Sequence, residues 1–309
     1  MTRAVVFAYH NVGARCLRVL LAHGIEVPLV VTHHDDPRET LWFERVADVA
    51  AAHHVPWIAP QDPNAPDVIA RVAALAPDFL FSFYYRRMLS PALLALAPRG
   101  ALNLHGSLLP RYRGRAPVNW AVLNGESETG VTLHYMTARP DAGAIVAQQA
   151  VPIQDDDTAQ VVFDRITAAA EATLDRVLPA LVAGTAPRLP NPLAEGSYYG
   201  GRGPEDGRID WRRSAREIHN LVRAVAPPFP GALTTINGLP ARVLRARVAD
   251  PSTPPAPPIL RATAADLMAQ CGGGGTLAIL ALEIDGAIVT PVALRERFGD
   301  TLALPVAAD

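Results

Sequence analysis

The chain has 309 residues, 50% of them hydrophobic and 19% charged, which is typical of a globular protein and long enough for two domains of about 150 residues each. The formal net charge of −2 gives no overall positive field that would attract nucleic acid or an anionic membrane. All 28 basic residues are arginines, which excludes a Schiff-base lysine, and Cys16 and Cys271 lack metal-ligand spacing. The N-terminal apolar run is too short to cross a membrane and no cleavage site follows it, which predicts a cytoplasmic protein.

The first half of the chain alternates β-rich runs with helical patterns. This alternation predicts an α/β fold with a parallel sheet, in which ligands bind beyond the carboxyl ends of the strands. The predicted strands are 3–8, 27–32, 57–58, 79–83 and 100–104, and the predicted helices are 13–23, 40–53, 66–76 and 91–97.

The pattern changes after Gly125. Two β-rich runs, 130–136 and 144–153, predict a hairpin or two adjacent strands, and Asp157 and Thr158 offer an N-cap for a long helix that ends near Gly184. Prolines and glycines then interrupt all periodicity. We therefore predict a first domain over 1–189, a linker over 190–206 and a second domain over 207–309.

The second domain has a helical pattern over 214–225, followed by short β-rich runs. Those runs, separated by Pro-rich and Gly-rich breaks, predict a small β-barrel. They are 232–236, 241–248, 259–262 and 276–284.

Two polar residues close the last predicted strand of the first half. Asn103 and His105 are two positions apart, so an extended strand places both side chains on one face. An amide donor beside an imidazole can polarise a carbonyl and move a proton, as acyl transfer requires. Asp141 follows in a loop able to approach the same sheet, where it would stabilise the charged form of the imidazole.

Other chemistries lack their motifs. The segment YHNVGARC does not have the G-x-G-x-x-G spacing of dinucleotide binding, and HGSLL around Ser107 is not the G-x-S-x-G turn of a serine hydrolase. The cluster HHDD at 33–36 is too contiguous to converge on one ion, so no metal is expected.

Three segments resemble the 10-formyltetrahydrofolate-dependent formyltransferases. The central one is NLHGSLLPRYRGRAPVNWAVLNGESETGVTLHYMTARPDAGAIVAQ, from Asn103 to Gln148. The segments FSFYYRRML, from Phe81, and IDWRRSAREIHNLVRAVAPPFPGA, from Ile209, are similar to the ArnA-type formyltransferases of polymyxin resistance. The resemblance covers nearly the whole chain and implies a Rossmann-like formyltransferase domain followed by a small OB-like β-barrel.

The same resemblance implies roles for matching positions. Asn103 would donate to the formyl oxygen, His105 would handle the proton that moves between the amine and the folate nitrogen, and Asp141 would tune His105. The co-substrate would be 10-formyltetrahydrofolate, with no metal. Its implied contacts are Arg87, where relatives often carry His, then Met88, Leu89, Arg115, Thr137, Ala138, Arg139, Pro140 and Asp141.

The implied acceptor is the amine of a sugar nucleotide, UDP-4-amino-4-deoxy-L-arabinose, on the route to lipid A modification. A methionyl-tRNA formyltransferase is the first alternative, but the segment HHDDPRETLWFE has aspartates and no lysine where a tRNA grip is expected. A formyltetrahydrofolate hydrolase, with water as acceptor, is the second.

Two hypotheses that do not involve catalysis remain. A degenerate relative would bind folate or a sugar nucleotide without turnover, and an RNA-binding module would use the arginines of the second domain, Arg212, Arg213, Arg216 and Arg223. The intact catalytic set argues against the former. Among the latter residues, Arg212, Arg216 and Arg223 recur at roughly helical spacing, which is typical of a solvated face. The sequence leaves the oligomeric state open.

Overall fold

The computed structural model describes residues 1–36 and 41–306. The chain divides into two compact units. The first comprises 1–117, 128–152 and 163–200, and the second comprises 118–127, 153–162 and the chain from 201 onward. The predicted boundaries at 189 and 207 stay predictions.

The first unit is built on a seven-stranded sheet of order β3-β2-β1-β4-β5-β7-β8, and β6 pairs separately with β9. Strands β3 to β5 in that order run parallel, whereas β7 and β8 are antiparallel to their neighbours. The predicted α/β fold with a parallel sheet is confirmed, with an antiparallel hairpin added at one edge. In chain order the strands are β1 (Arg3–Ala8), β2 (Glu26–Val31), β3 (Trp57–Ile58), β4 (Phe79–Phe83), β5 (Gly100–His105), β6 (Arg113–Gly114), β7 (Glu128–Tyr135), β8 (Ile145–Pro152) and β9 (Tyr198–Tyr199).

The centre of this sheet is apolar on both faces. All five residues of β4 are buried, as are all but the first residue of β1, which is why these strands appear in the sequence as continuous apolar runs. Parallel strands need crossover connections, and helices supply them here.

The predicted helices are present with shifted ends, whereas the helices Pro117–Leu123 and Pro291–Phe298 were not predicted. Thr158 Oγ1 accepts a hydrogen bond from the Val161 N–H at 3.4 Å, which confirms Thr158 as an N-cap. The second helix is shorter than predicted, and Thr40, its predicted first residue, lies outside the described residues. In chain order the helices are α1 (His10–Ala22), α2 (Val46–Ala52), α3 (Pro66–Ala74), α4 (Pro91–Leu94), α5 (Pro117–Leu123), α6 (Ala159–Ala183), α7 (Ala215–Ala224) and α8 (Pro291–Phe298).

The second unit is an antiparallel sheet of order β10-β11-β14-β13-β12-β16, with β15 paired to β14. Its core is centred on Trp211, which is 1% exposed and whose Nε1 donates to Thr234 Oγ1 at 2.8 Å. The antiparallel C-terminal sheet is confirmed, whereas its closure into an OB-like barrel stays a prediction. The strands are β10 (Ala232–Ile236), β11 (Leu239–Asp250), β12 (Ile259–Ala262), β13 (Leu267–Gln270), β14 (Thr276–Ile284), β15 (Ala287–Ile288) and β16 (Thr301–Ala303).

None of the helices in the described ranges is long and apolar enough to span a bilayer.

Candidate active site

Asn103 and His105 lie on β5, and both side chains are on one face of the sheet because they are two positions apart. The antiparallel register places His134 directly opposite Asn103, and Thr132 directly opposite His105. Cross-strand pairs share a face. Four polar side chains therefore form one patch on a sheet whose other face at this point carries buried leucines.

Asp141 reaches this patch from the loop between β7 and β8. Its Oδ1 lies 3.5 Å from His105 Nδ1 and 3.6 Å from His134 Nε2. Its Oδ2 accepts a hydrogen bond from the Gly114 N–H at 2.8 Å. The structure thus brings together Asn103, His105 and Asp141, the three residues that the sequence analysis selected as catalytic candidates.

The His105 ring is oriented by its second nitrogen. Nε2 donates to the Tyr112 carbonyl oxygen at 2.8 Å, and the side chain is 7% exposed. Nδ1 is then the nitrogen that faces Asp141 and is available for proton exchange. At 3.5 Å the two groups make no direct hydrogen bond, and the carboxylate attracts the ring when Nδ1 also carries a proton.

His134 is the functional residue that sequence analysis missed. Its Nδ1 donates to the Tyr135 carbonyl oxygen at 2.9 Å, so in the neutral ring Nε2 is an acceptor. The Asn103 amide lies 3.1 Å from that Nε2 and donates to it. One amide N–H is used in this way, which leaves the second for a substrate carbonyl. The sequence feature that could have identified His134 is a histidine within the mainly apolar β-rich run GVTLHYM.

Asp141 stays ionised despite its burial. Burial favours the neutral acid, but the His105 and His134 rings and the Gly114 N–H together hold the pKa of the Asp141 carboxyl well below its usual range. The backbone of Asp141 is left-handed, with φ of 50°. Gly143 follows because a Cβ there would overlap the Tyr135 carbonyl oxygen.

A network below the patch holds the loop that follows β5. Thr132 Oγ1 donates to the Ser107 carbonyl oxygen at 2.6 Å and accepts from the Leu109 N–H at 3.1 Å. Gln148 Nε2 donates both to Thr132 Oγ1 and to the Leu109 carbonyl oxygen. Ser107 Oγ donates to the Arg111 carbonyl oxygen at 2.7 Å. These bonds position Tyr112, whose carbonyl oxygen in turn orients His105.

The segment 189–200 fastens the two loops that carry these contacts; we call it the strap. Most of it falls in the predicted linker, but its residues belong to the first unit. Asn191 Nδ2 donates to the carbonyl oxygens of Asp141 and Gly143, both at 3.1 Å. Ser197 Oγ accepts from the Tyr112 N–H at 2.8 Å. One short segment therefore fixes both the carboxylate and the partner of His105.

The strap also pairs as a strand. β9 is parallel to β6, and the ring of Tyr199 stacks on Tyr112 with centroids 5.1 Å apart. Gly114 has φ of 97° and its position leaves no room for a Cβ beside the Tyr199 carbonyl oxygen. Glycine at this position lets the two backbones approach.

The residues selected for folate contact lie on three loops, which follow β4, β6 and β7. Arg87 and Met88 are exposed, and the Met88 carbonyl oxygen accepts from Asn64 Nδ2 at 3.0 Å. Leu89 is 7% exposed and packs in the core, so any contact it makes with a ligand runs through its backbone. Three further positions in the loop after β7 are exposed: Thr137, Ala138 and Arg139. Pro140 is half-buried and Arg115 is exposed.

Aromatic side chains gather after β1, β2 and β4. The His10 ring stacks on Phe43 with centroids 4.0 Å apart, and the His33 ring stacks on Tyr85 at 4.1 Å. Asp35, in the segment that argued against tRNA, accepts from the Tyr9 hydroxyl at 2.8 Å and pairs with the Arg45 guanidinium at 2.7 Å.

Three buried polar atoms in this region have no hydrogen-bond partner within the described chain. They are His10 Nδ1 and the hydroxyls of Tyr84 and Tyr85. Such atoms are costly unless a ligand or water satisfies them. The Tyr84 hydroxyl lies where a Cβ of Gly106 would stand, next to His105 along the chain. The carboxyl end of the sheet therefore offers unused polar groups beside the catalytic patch.

The sequence matches the family model described as formyl transferase over residues 3–178, and the one described as formyl transferase, C-terminal domain, over residues 203–294. The chain belongs to the formyl transferase family. The predicted family and enzyme class are thereby confirmed, and the chain is a formyltransferase. Its likeness to the ArnA-type members stays a prediction.

Solved structures share the fold of this formyltransferase. The N-formyltransferase from Helicobacter canadensis, in complex with folinic acid and dTDP-3-aminofucose, has a TM-score of 0.70 at 19% identity, over 90% of this chain and 99% of that one. The sugar 3N-formyl transferase WlaRD, with dTDP and 5-N-formyl-THF, has a TM-score of 0.73 at 18% identity, over 93% and 99%. HypX from Aquifex aeolicus, with tetrahydrofolic acid, has a TM-score of 0.63 at 17% identity, over 96% and 47%.

Within the described ranges of this formyltransferase, no group of three or more His, Cys, Asp and Glu side chains has a geometry that would hold a metal ion. The chemistry of the patch is that of an amide, two imidazoles and a carboxylate.

Proposed function

We propose that this formyltransferase moves the formyl group of 10-formyltetrahydrofolate to the amine of a sugar nucleotide. The observation that carries the proposal is that Asn103, His105 and Asp141 lie together on one face of the sheet. Asp141 Oδ1 is 3.5 Å from His105 Nδ1. Sugar N-formyltransferases that share the fold add support.

In the proposed reaction, Asn103 donates its second amide N–H to the formyl oxygen as negative charge develops there. One well-aimed donor of this kind is worth about 3–4 kcal/mol of transition-state stabilisation. His105 accepts the proton that the attacking amine loses and delivers it to the folate nitrogen as the carbon–nitrogen bond breaks. Asp141 stabilises the imidazolium during this transfer because its carboxylate stays ionised.

The residues present fit a folate co-substrate. Arg87, Arg115 and Arg139 are exposed cations on the loops that flank the patch and suit an anionic tail. The segment Arg87–Leu89 would bind the pteridine chiefly through its backbone, and the loop Thr137–Asp141 would cover it. Backbone recognition explains how Arg87 is tolerated at a place where relatives often carry His.

For the acceptor we propose an amino sugar nucleotide, with UDP-4-amino-4-deoxy-L-arabinose as the first candidate and dTDP-linked amino sugars as the second. The unused polar atoms of His10, Tyr84 and Tyr85 suit the hydroxyls of a sugar. Lipid A modification would follow from the first candidate, in the cytoplasm, with no nucleic acid or membrane partner. We also propose an OB-like barrel for the C-terminal sheet.

Two alternative acceptors remain, methionyl-tRNA and water. The first is disfavoured because Asp35 brings a carboxylate to the segment where a tRNA grip would need cations. The second is disfavoured by the aromatic cluster, since a hydrolase has no need to recognise a sugar or a base.

A single assay separates these acceptors. Purified protein is incubated with 10-formyltetrahydrofolate alone, with methionyl-tRNA, or with a panel of UDP- and dTDP-linked amino sugars, and the release of tetrahydrofolate is followed. We expect release that requires an amino sugar nucleotide. Release with water alone would identify a hydrolase, and release that needs tRNA would overturn the proposed acceptor class.

A further inference from the structure

A polar cavity lies entirely within the second unit. It has a volume of about 110 Å³, several times the roughly 30 Å³ that one water molecule takes up. Helix α7, strand β11 and the turn before α6 form its walls. The polar residues that line it are Arg223, Arg245, Arg247, His219, Asp156 and Thr158.

Arg223 places a buried positive charge at this cavity. Its side chain belongs to a residue only 6% exposed. The carboxylates of Asp155, Asp156 and Asp157 attract it, although none of the described carboxylates forms an ion pair with it. Nε and one terminal nitrogen donate to Asn220 Oδ1, and the other terminal nitrogen donates to the Asp157 carbonyl oxygen. One N–H on each terminal nitrogen is left over. A buried guanidinium stays protonated, and its remaining N–H groups are costly unless they find an acceptor.

Two more arginines reach the same cavity from β11. Arg245 and Arg247 alternate with the buried Ala246, so both point away from the core of the sheet. No ion pair forms at either guanidinium within residues 1–36 and 41–306. The cavity therefore collects three cationic side chains, none of which forms a close ion pair within the described residues.

His219 supplies an unused acceptor. The residue is 1% exposed, and its Nε2 lies 3.2 Å from Asp156 Oδ1, which favours the tautomer with the proton on Nε2. Its Nδ1 is buried and has no partner among the described residues. Burial, and next the Arg223 charge, lower the pKa of His219, which keeps a lone pair on Nδ1. That nitrogen requires a donor from outside the protein.

The aspartates nearby offset part of this positive charge, because Asp155, Asp156 and Asp157 all attract Arg223. Asp156 lies 3.2 Å from the His219 ring, Asp157 Oδ2 accepts from the Gln154 N–H at 2.6 Å, and Asp155 lies 3.9 Å from the Arg216 guanidinium. Only Asp156 lines the cavity. The lining thus has three arginines against one carboxylate.

We propose that this cavity binds a small tetrahedral oxyanion of the phosphate class. Arg223 donates its two remaining N–H groups to the anion, and Arg245 and Arg247 neutralise its charge. His219 Nδ1 accepts from the protonated oxygen of a hydrogenphosphate. This site is separate from the catalytic patch and does not depend on which amine accepts the formyl group.

The test is calorimetric titration of inorganic phosphate into the full chain, in low-salt buffer without other oxyanions. We expect one site per chain. The double variant R245Q/R247Q changes only exposed side chains, and its Kd is expected to rise about tenfold, because one charged hydrogen bond is worth about 1.5–3 kcal/mol. R223Q is expected to weaken binding at least as much. The matched control is R242Q, on the same strand but paired with Glu283, for which Kd stays unchanged.

Each outcome decides the proposal. No binding to the wild-type chain, or a Kd that is the same in R245Q/R247Q as in R242Q, overturns it. If R223Q fails to fold by circular dichroism, the double variant decides alone. A second titration with glycerol phosphate separates the sources: comparable or tighter binding identifies a phosphorylated small molecule, and binding of inorganic phosphate alone identifies the free ion.

Discussion

Asn103 Nδ2 lies 3.1 Å from His134 Nε2, and this pair sets the direction of the amide in the catalytic patch. The ring of His134 is itself held by the Tyr135 carbonyl oxygen at 2.9 Å. In the neutral tautomer with its proton on Nδ1, the ring accepts at Nε2 and favours the rotamer in which the Asn103 amide points its N–H groups toward the patch. The amide is thereby prepared to donate to an oxygen that becomes negative.

Replacing Asn103 by alanine is therefore expected to lower kcat about 10²–10³-fold, since one oxyanion donor is lost. H134F removes the acceptor without removing the donor and is expected to lower kcat about tenfold. In the double variant N103A/H134F the two losses should not add, because His134 acts through Asn103. Steady-state rates of tetrahydrofolate release measure all three; fully additive losses would show that His134 has a separate role.

Asp141 is expected to be needed in its ionised form. D141N keeps the shape of the side chain but removes the charge beside His105, and we expect kcat to fall about 10²–10⁴-fold, the range of general acid–base catalysis. D67N, an exposed carboxylate in α3, is the matched control and should keep the wild-type rate. Circular dichroism checks that both variants fold. A wild-type rate in D141N contradicts the assigned role.

The strap is expected to affect turnover because it positions the loop that carries Asp141. N191A removes two hydrogen bonds, to the carbonyl oxygens of Asp141 and Gly143, which are worth about 1–3 kcal/mol together. We expect kcat to fall about tenfold while KM for the acceptor stays within about twofold. E195Q, an exposed strap residue, is the control. If N191A changes the melting temperature but not kcat, the strap is structural only.

Because His10 is buried, we expect the free energy of unfolding to fall in acid. Burial, and next the Arg86 charge, lower the pKa of His10 from 6.5 to about 3. Between these values the unfolded chain binds a proton that the folded chain does not, so stability falls as the pH drops from about 6.5 toward 3. One such group contributes at most about 1.4 kcal/mol per pH unit.

Urea unfolding at several pH values measures this slope. H10N removes the titrating ring, and asparagine tolerates the left-handed φ of 67° at this position. We expect a shallower decline of the free energy of unfolding with acid in H10N than in the wild type. H53Q, at an exposed position, is the control. Equal slopes in H10N and the wild type would contradict the assignment.

The sequence was sufficient for the parts of the site that depend on strand geometry. A spacing of two on an apolar run placed Asn103 and His105 on one face, because strand periodicity is fixed by the backbone. The buried β1 and β4 were recognisable since both faces are covered. The hairpin of β7 and β8 followed from two β-rich runs joined by a turn-forming loop.

What the sequence did not reveal depends on contacts between distant segments. The pairing of His134 with Asn103 requires the register of β7 on β5, which local patterns do not specify. The strap has many prolines and glycines and looks like a linker, because its hydrogen bonds go to loops some 50 to 85 positions away in sequence. Strands β13 and β16 were not predicted, because both are short and are defined by their antiparallel pairing with β12, which local patterns do not specify.

The central claim is that one formyl group passes from folate to a sugar amine through the patch of Asn103, His105 and Asp141. The most direct measurement uses 10-formyltetrahydrofolate with an isotopically labelled formyl carbon and an amino sugar nucleotide, with products analysed by mass spectrometry and carbon NMR. We predict that the label appears as a formamide on the sugar, in equal amount to the tetrahydrofolate formed, and that D141N forms neither. Label recovered as free formate, with the sugar amine unmodified, would contradict the account.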